Sequence, residues 1–121
     1  MDKVKAILEA TKRDFEMRDN FKIRIKRLKT KAASISFGTR VIRLNKELAN
    51  DPEFVTYLIY HELAHYKLHM RFHGPEFYNL LNSKLGEENV KEIERKIHRK
   101  MMEMNHLLYA YGESTHKEEQ T

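Results

Sequence analysis

The sequence predicts a small α+β fold: an N-terminal helix, a short three-stranded sheet, and three further helices. Three observations carry this. Apolar residues recur at helical spacing in 2–18, 52–70, 75–85 and 87–111. They alternate with basic residues in 21–26. Two short runs, Ala33–Phe37 and Arg40–Leu44, meet at Gly38-Thr39. At 121 residues the chain suits one compact domain.

Each element has its own grounds. In 2–18, Val4, Ile7, Leu8, Thr11 and Phe15 make one apolar stripe among Lys and Glu. Arg18-Asp19-Asn20 reads as a turn, and Phe21–Lys26 as a half-buried strand. Gly38-Thr39 joins the next two strands as a hairpin. Asn50 or Asp51 can cap a helix that opens at Pro52-Glu53 and runs to about Met70. Gly74-Pro75 opens a third helix, 75–85, which Gly86 closes. The last helix, 87–111, carries Val90, Ile93, Ile97, Met101, Met104, Leu108 and Tyr111, and a polar tail follows Gly112.

Hydrophobic residues are 40% and charged residues 34%, a globular balance rather than a disordered one. No apolar run approaches the ~20 residues of a membrane span, and residues 1–16 lack the apolar core of a signal peptide. Cysteine is absent, which excludes disulfides and thiolate sites and fits a cytoplasmic protein. Any metal must therefore be held by His and carboxylate.

His61-Glu62-Leu63-Ala64-His65 is an H-E-x-x-H on a helix. Residues i and i+4 share a face one turn apart, so two imidazoles reach one ion, and the Glu beside them can take a proton from metal-bound water. With 7 histidines in the chain, the pentapeptide arises by chance roughly once in 20 shufflings. Its context is more informative. The flanks Phe54–Tyr60 and Leu63-Ala64 are apolar nearly all round, so the helix is buried, and polar groups there need a partner. A metal supplies one.

The histidines at 61, 65, 69 and 73 recur every four residues. His69 stands about 12 Å along the axis from His61, too far to share an ion. Pro75 disfavours helix at Gly74, so the chain can turn and carry His73 back. His73 is then the third ligand, with Glu76 the remaining alternative, and three His leave an open position for water. His98, His106 and His116 lie outside this cluster.

HELAH followed eight residues later by HGPEF resembles the zinc metallopeptidases of the minigluzincin type, soluble analogues of the catalytic domains of the HtpX and CAAX-prenyl-protease membrane peptidases. The layout is also similar to SprT/Spartan-type proteases and YgjP-like hydrolases. The resemblance spans about Ala33 to Leu85. It implies zinc held by His61, His65 and His73, with Glu62 as general base, and an edge strand Ala33-Ser34-Ile35-Ser36-Phe37 facing a peptide or protein substrate. Tyr66, Tyr78, His106 and Tyr109 are candidates to stabilise the oxyanion. With a length that suits one compact domain, the chain is expected to be a single metallopeptidase domain, 1–121, with 87–121 as a C-terminal helix and tail. In latent members of the group such a segment occupies the cleft, within one chain or by exchange in a homodimer.

Peptide-bond hydrolysis is thus the leading expectation. A second reading is a nucleic-acid-binding module or DNA-associated protease, drawn from Lys22, Arg24, Lys26, Arg27, Lys29 and Lys31. A solvated strand edge explains those residues more simply, and no aromatic residues are interleaved for base stacking. A third is a structural zinc protein, which would need a fourth protein ligand.

Overall fold

The elements follow in the order α1 (Asp2–Asp14), β1 (Lys22–Lys26), β2 (Ala33–Ser36), β3 (Val41–Asn45), α2 (Pro52–Leu68), α3 (Pro75–Leu85) and α4 (Glu87–Gly112). This computed structural model describes residues 2–112, with side chains through residue 104. Helices pack around a three-stranded sheet, the expected α+β architecture.

The largest departure is at α1, which stops at Asp14 rather than running to 18. Glu16 takes the left-handed conformation (φ 55°), and its N–H bonds Arg13 O at 3.0 Å while Met17 N–H bonds Lys12 O at 2.9 Å. This paired closure ends a helix. Phe15, 2% exposed, is thereby tucked into the core at the turn.

The strand order is β1-β3-β2. β3 lies parallel to β1, with Ile23 opposite Ile42, and antiparallel to β2, with Ile35 opposite Ile42. The hairpin turns through residues 37–40, and its left-handed residue is Arg40 (φ 57°), whose N–H reaches Ser36 O at 2.8 Å. The connection from β1 to β2 must cross the end of β3, where Asn45 holds it. Asn45 Nδ2 donates to Leu28 O and Lys31 O, both at 2.9 Å, while its Oδ1 accepts from Glu47 N–H at 3.0 Å.

Asn45 N–H donates to Ala32 O, so by the alternation of an antiparallel ladder residues 32, 34 and 36 face β3. The N–H and C=O groups of Ala33 and Ile35 therefore point to the open side. β2 is a sheet edge with main-chain groups available there.

α2 is the central helix and touches α1, α3, α4, β2 and β3. Asp51 caps it, its Oδ1 accepting from Glu53 N–H at 2.9 Å. Val55, Leu58, Ile59, Leu63 and Ala64 of α2 are buried against Ile35, Ile42 and Leu44 of the sheet and Phe77 and Leu81 of α3. Burying each such Leu or Ile contributes about 1.5–3 kcal/mol. α4 docks on its own chain through Val90, Ile93 and Ile97, all buried. Among the described residues no helix is long and apolar enough to cross a membrane.

Candidate metal centre

α2 presents His61 and His65 one turn apart, with their Nε2 atoms 3.2 Å apart. The helix ends four residues later, where His69 is left-handed (φ 53°, ψ 42°). Its N–H bonds Tyr66 O at 3.1 Å and Met70 N–H bonds His65 O at 3.2 Å, the same closure that ends α1. The chain reverses there, one residue before the expected bend. The His69 ring packs on Phe37 and Tyr66, away from the cluster.

The reversal returns His73, whose Nε2 lies 3.1 Å from His61 Nε2 and 3.2 Å from His65 Nε2. Three imidazoles that turn one nitrogen each to a common point can share a cation there through their lone pairs. Nitrogens held 2.0–2.1 Å from a tetrahedral zinc stand roughly 3.3–3.4 Å apart, close to the spacing here. Among the described residues, His61, His65 and His73 form the one group able to hold a metal. Glu76, exposed in the first turn of α3, is not part of it.

The second nitrogens of His61 and His65 are also engaged. His65 Nδ1–H donates to Met70 O at 2.9 Å, which leaves Nε2 bare, and His61 Nδ1 meets Tyr57 Oη at 3.0 Å. Phe77 lies beneath all three rings, stacking on His65 at 4.4 Å between centroids. Burial pushes the His61 imidazole down to about 3, with His65 and His73 adding repulsion. Burial likewise lowers His65. Both are thus kept neutral, as ligands must be.

Glu62 is 6% exposed. Burial raises its carboxyl to about 7, while Arg71 and Lys31 pull it back down. A carboxyl held near neutrality is matched to general-base work.

A cleft of about 640 Å³ opens over these groups. Ala33 and Ser34 of β2 form one wall, and Ile97, His98 and Met101 of α4 form another. Of the expected edge segment, Ile35 points its side chain into the core and Ser36 Oγ accepts from Arg43 Nη1 at 3.0 Å. Phe37 lies just past the strand, under the Arg71 guanidinium. Arg71 Nη1 also donates to Ile35 O at 2.7 Å, taking one acceptor of the open edge.

Tyr66 donates to Asp19 at 2.7 Å and Tyr78 to Glu94 at 3.0 Å, so neither hydroxyl is uncommitted. The side chains of His106 and Tyr109, like residues 113–121, lie outside the described residues. The basic residues from Lys22 to Lys31 are exposed along edge strand β1 and the loop after it.

Three residues around the centre escaped sequence reading: Arg71, Tyr57 and Glu94. Tyr57 carried a signal, since it sits one helical turn before His61. Glu94 carried none, because only tertiary packing brings it to α2.

An H-E-x-x-H helix, a third histidine returned by a tight reversal and a neighbouring buried carboxyl define a metallopeptidase centre. Residues 1–100 match the YgjP-like metallopeptidase domain, and the chain belongs to that family. An uncharacterized protein of Methanocaldococcus jannaschii is 36% identical over 101 residues, covering 82% of this chain and 92% of that protein. Another, from Aquifex aeolicus, is 35% identical over 97 residues, covering 78% and 87%. Two crystal structures of metallopeptidase zymogens are similar. Jannalysin of M. jannaschii aligns with a TM-score of 0.72 at 36% identity, over 81% of this chain and 96% of its own. Abylysin of Pyrococcus abyssi aligns with a TM-score of 0.74 at 33% identity, over 80% and 93%.

Proposed function

We propose that this metallopeptidase is a zinc endopeptidase in which His61, His65 and His73 hold the ion and Glu62 is the general base. The observation that carries the reading is the convergence of three Nε2 atoms within 3.2 Å beside the buried Glu62 carboxyl. Zinc bound there supplies Lewis acidity and an acidified water. Glu62, buried beside the three histidines, would accept the proton of the attacking water and return it to the leaving amine. A substrate strand pairs with the open main-chain groups of Ala33 in β2 and lays its scissile bond across the cleft. Phe37 and the Arg71–Ile35 contact mark the end of the pairing edge.

The domain takes in 1–121, and the likeness to two zymogens supports a latent full chain. Its segment from about His106 onward, whose side chains lie outside the described residues, is the proposed cover of the cleft. The absence of cysteine fits a cytoplasmic setting. Metal analysis with casein digestion tests the mechanism. Metal-loaded Glu62→Gln should keep one zinc per chain and lose activity by several orders of magnitude. Activity retained by that variant would overturn the role of Glu62.

A further inference from the structure

α4 reaches the metal centre by a route the reaction scheme does not use. Tyr57 stands one turn before His61 on α2, and its hydroxyl lies 3.0 Å from His61 Nδ1. The same hydroxyl donates to Glu94 Oε2, from the N-terminal third of α4. Tyr78 of α3 donates to that oxygen at 3.0 Å. Buried Val90, Ile93 and Ile97 fix the stretch of α4 that carries Glu94.

Counting protons gives this chain a direction. A phenol has one proton. A carboxylate accepts only, so Tyr57 gives its proton to Glu94 and can only accept from His61. The proton on His61 must then sit on Nδ1, which leaves the Nε2 lone pair facing His65 and His73. Were Tyr57 to donate to Nδ1 instead, the proton would sit on Nε2 and block the ion.

We propose that Glu94 is a positioning residue that, through Tyr57, selects the metal-binding tautomer and orientation of His61. This rests on the reading of His61 as a ligand. It makes α4 a working part of the metal centre, not only a wall of the cleft.

The test uses the full chain with Glu94→Gln, Tyr57→Phe, the double variant and Tyr78→Phe. Zinc affinity is measured by competition with a chromogenic chelator. Hydrogen-bonding partners of metal-bound histidines typically account for 10–100-fold in affinity, so each of the first two variants should lose that much. The double variant should lose no more than the weaker-binding single variant, because both cut one chain. Tyr78→Phe should lose far less, since it leaves the path to His61 intact. A long-range ¹H–¹⁵N spectrum of the metal-free chain should show His61 protonated on Nδ1 in the wild type, and that preference weakened in Glu94→Gln. Cobalt-loaded Glu94→Gln and Tyr57→Phe should share the same shift of the visible bands. Wild-type affinity and tautomer in Glu94→Gln, or losses that multiply in the double variant, would overturn the inference. Should Tyr57→Phe not fold, Glu94→Gln against Tyr78→Phe decides the question alone. A wild type that binds no zinc would instead sink the metal reading beneath it.

Discussion

Glu62 is expensive to keep in the fold, and the amount can be worked out. Its carboxyl ionises near 4.5 when free and near 7 in the metal-free folded chain, because it is buried. Between those values the native state holds one more proton than the unfolded state. Linkage then makes the stability slope negative, so stability falls as pH rises through that window. At about 1.4 kcal/mol per pH unit over about 2.5 units, roughly 3 kcal/mol is lost between pH 4.5 and pH 7. Glu62→Gln has no charge to bury. Without metal it should match the wild type near pH 4.5 and exceed it by up to about 3 kcal/mol at pH 8. For a domain of this size that is about 12 °C in Tm. His61 and His65 give an opposite slope, but both proteins share it, so the difference isolates Glu62. Urea unfolding followed by circular dichroism in chelator, at pH 4.5, 6 and 8, measures it. A difference that does not grow with pH, or a variant less stable at pH 8, would refute the reasoning.

Other outcomes follow from the same geometry. His73→Ala should sharply reduce zinc occupancy while His69→Ala leaves it unchanged, read by metal analysis; the reverse would overturn the ligand assignment. Chelation should lower the Tm of the wild type roughly with the logarithm of free metal, since binding is linked to folding, and an unmoved Tm would argue against a resident ion. Removing residues from Asn105 onward should raise casein hydrolysis in a folded, zinc-loaded chain, and unchanged activity there would reject latency. Asn45→Ala, which strips three hydrogen bonds from a fully buried side chain, should cost about 3 kcal/mol in urea unfolding; a loss below about 0.5 kcal/mol would show that the 27–32 connection does not depend on it.

Where the sequence was readable, it was readable through periodicity and caps. α3 falls on its expected residues, Pro75 to Leu85, because proline opens it and Gly86 (φ 91°) closes it. α1 was overrun because Glu16 does the work usually given to glycine, and nothing in residue type announces a left-handed glutamate. The same holds for Arg40 in the hairpin and His69 after α2. The order β1-β3-β2 was not legible, since alternation marks a strand but not its neighbour. Of the centre, the residues within one helix and one turn were visible in spacing. Arg71 and Glu94 were not, because each acts across elements: one on a carbonyl of β2, the other on a hydroxyl of α2.

The reversal at His69 makes the proposed ligand set local. His61, His65 and His73 all fall within one short stretch, 61–73, that needs only a helical turn and a reverse turn to converge. Closing so short a loop costs little chain entropy. During synthesis the three imidazoles emerge ahead of α3 and α4. An ion can therefore be captured by a nascent chain whose sheet is already made but whose C-terminal half is not, and the ion can act as a template on which α3 and α4 assemble. Glu94 arrives 21 residues after His73, so docking of α4 is the step that would lock in an ion already held.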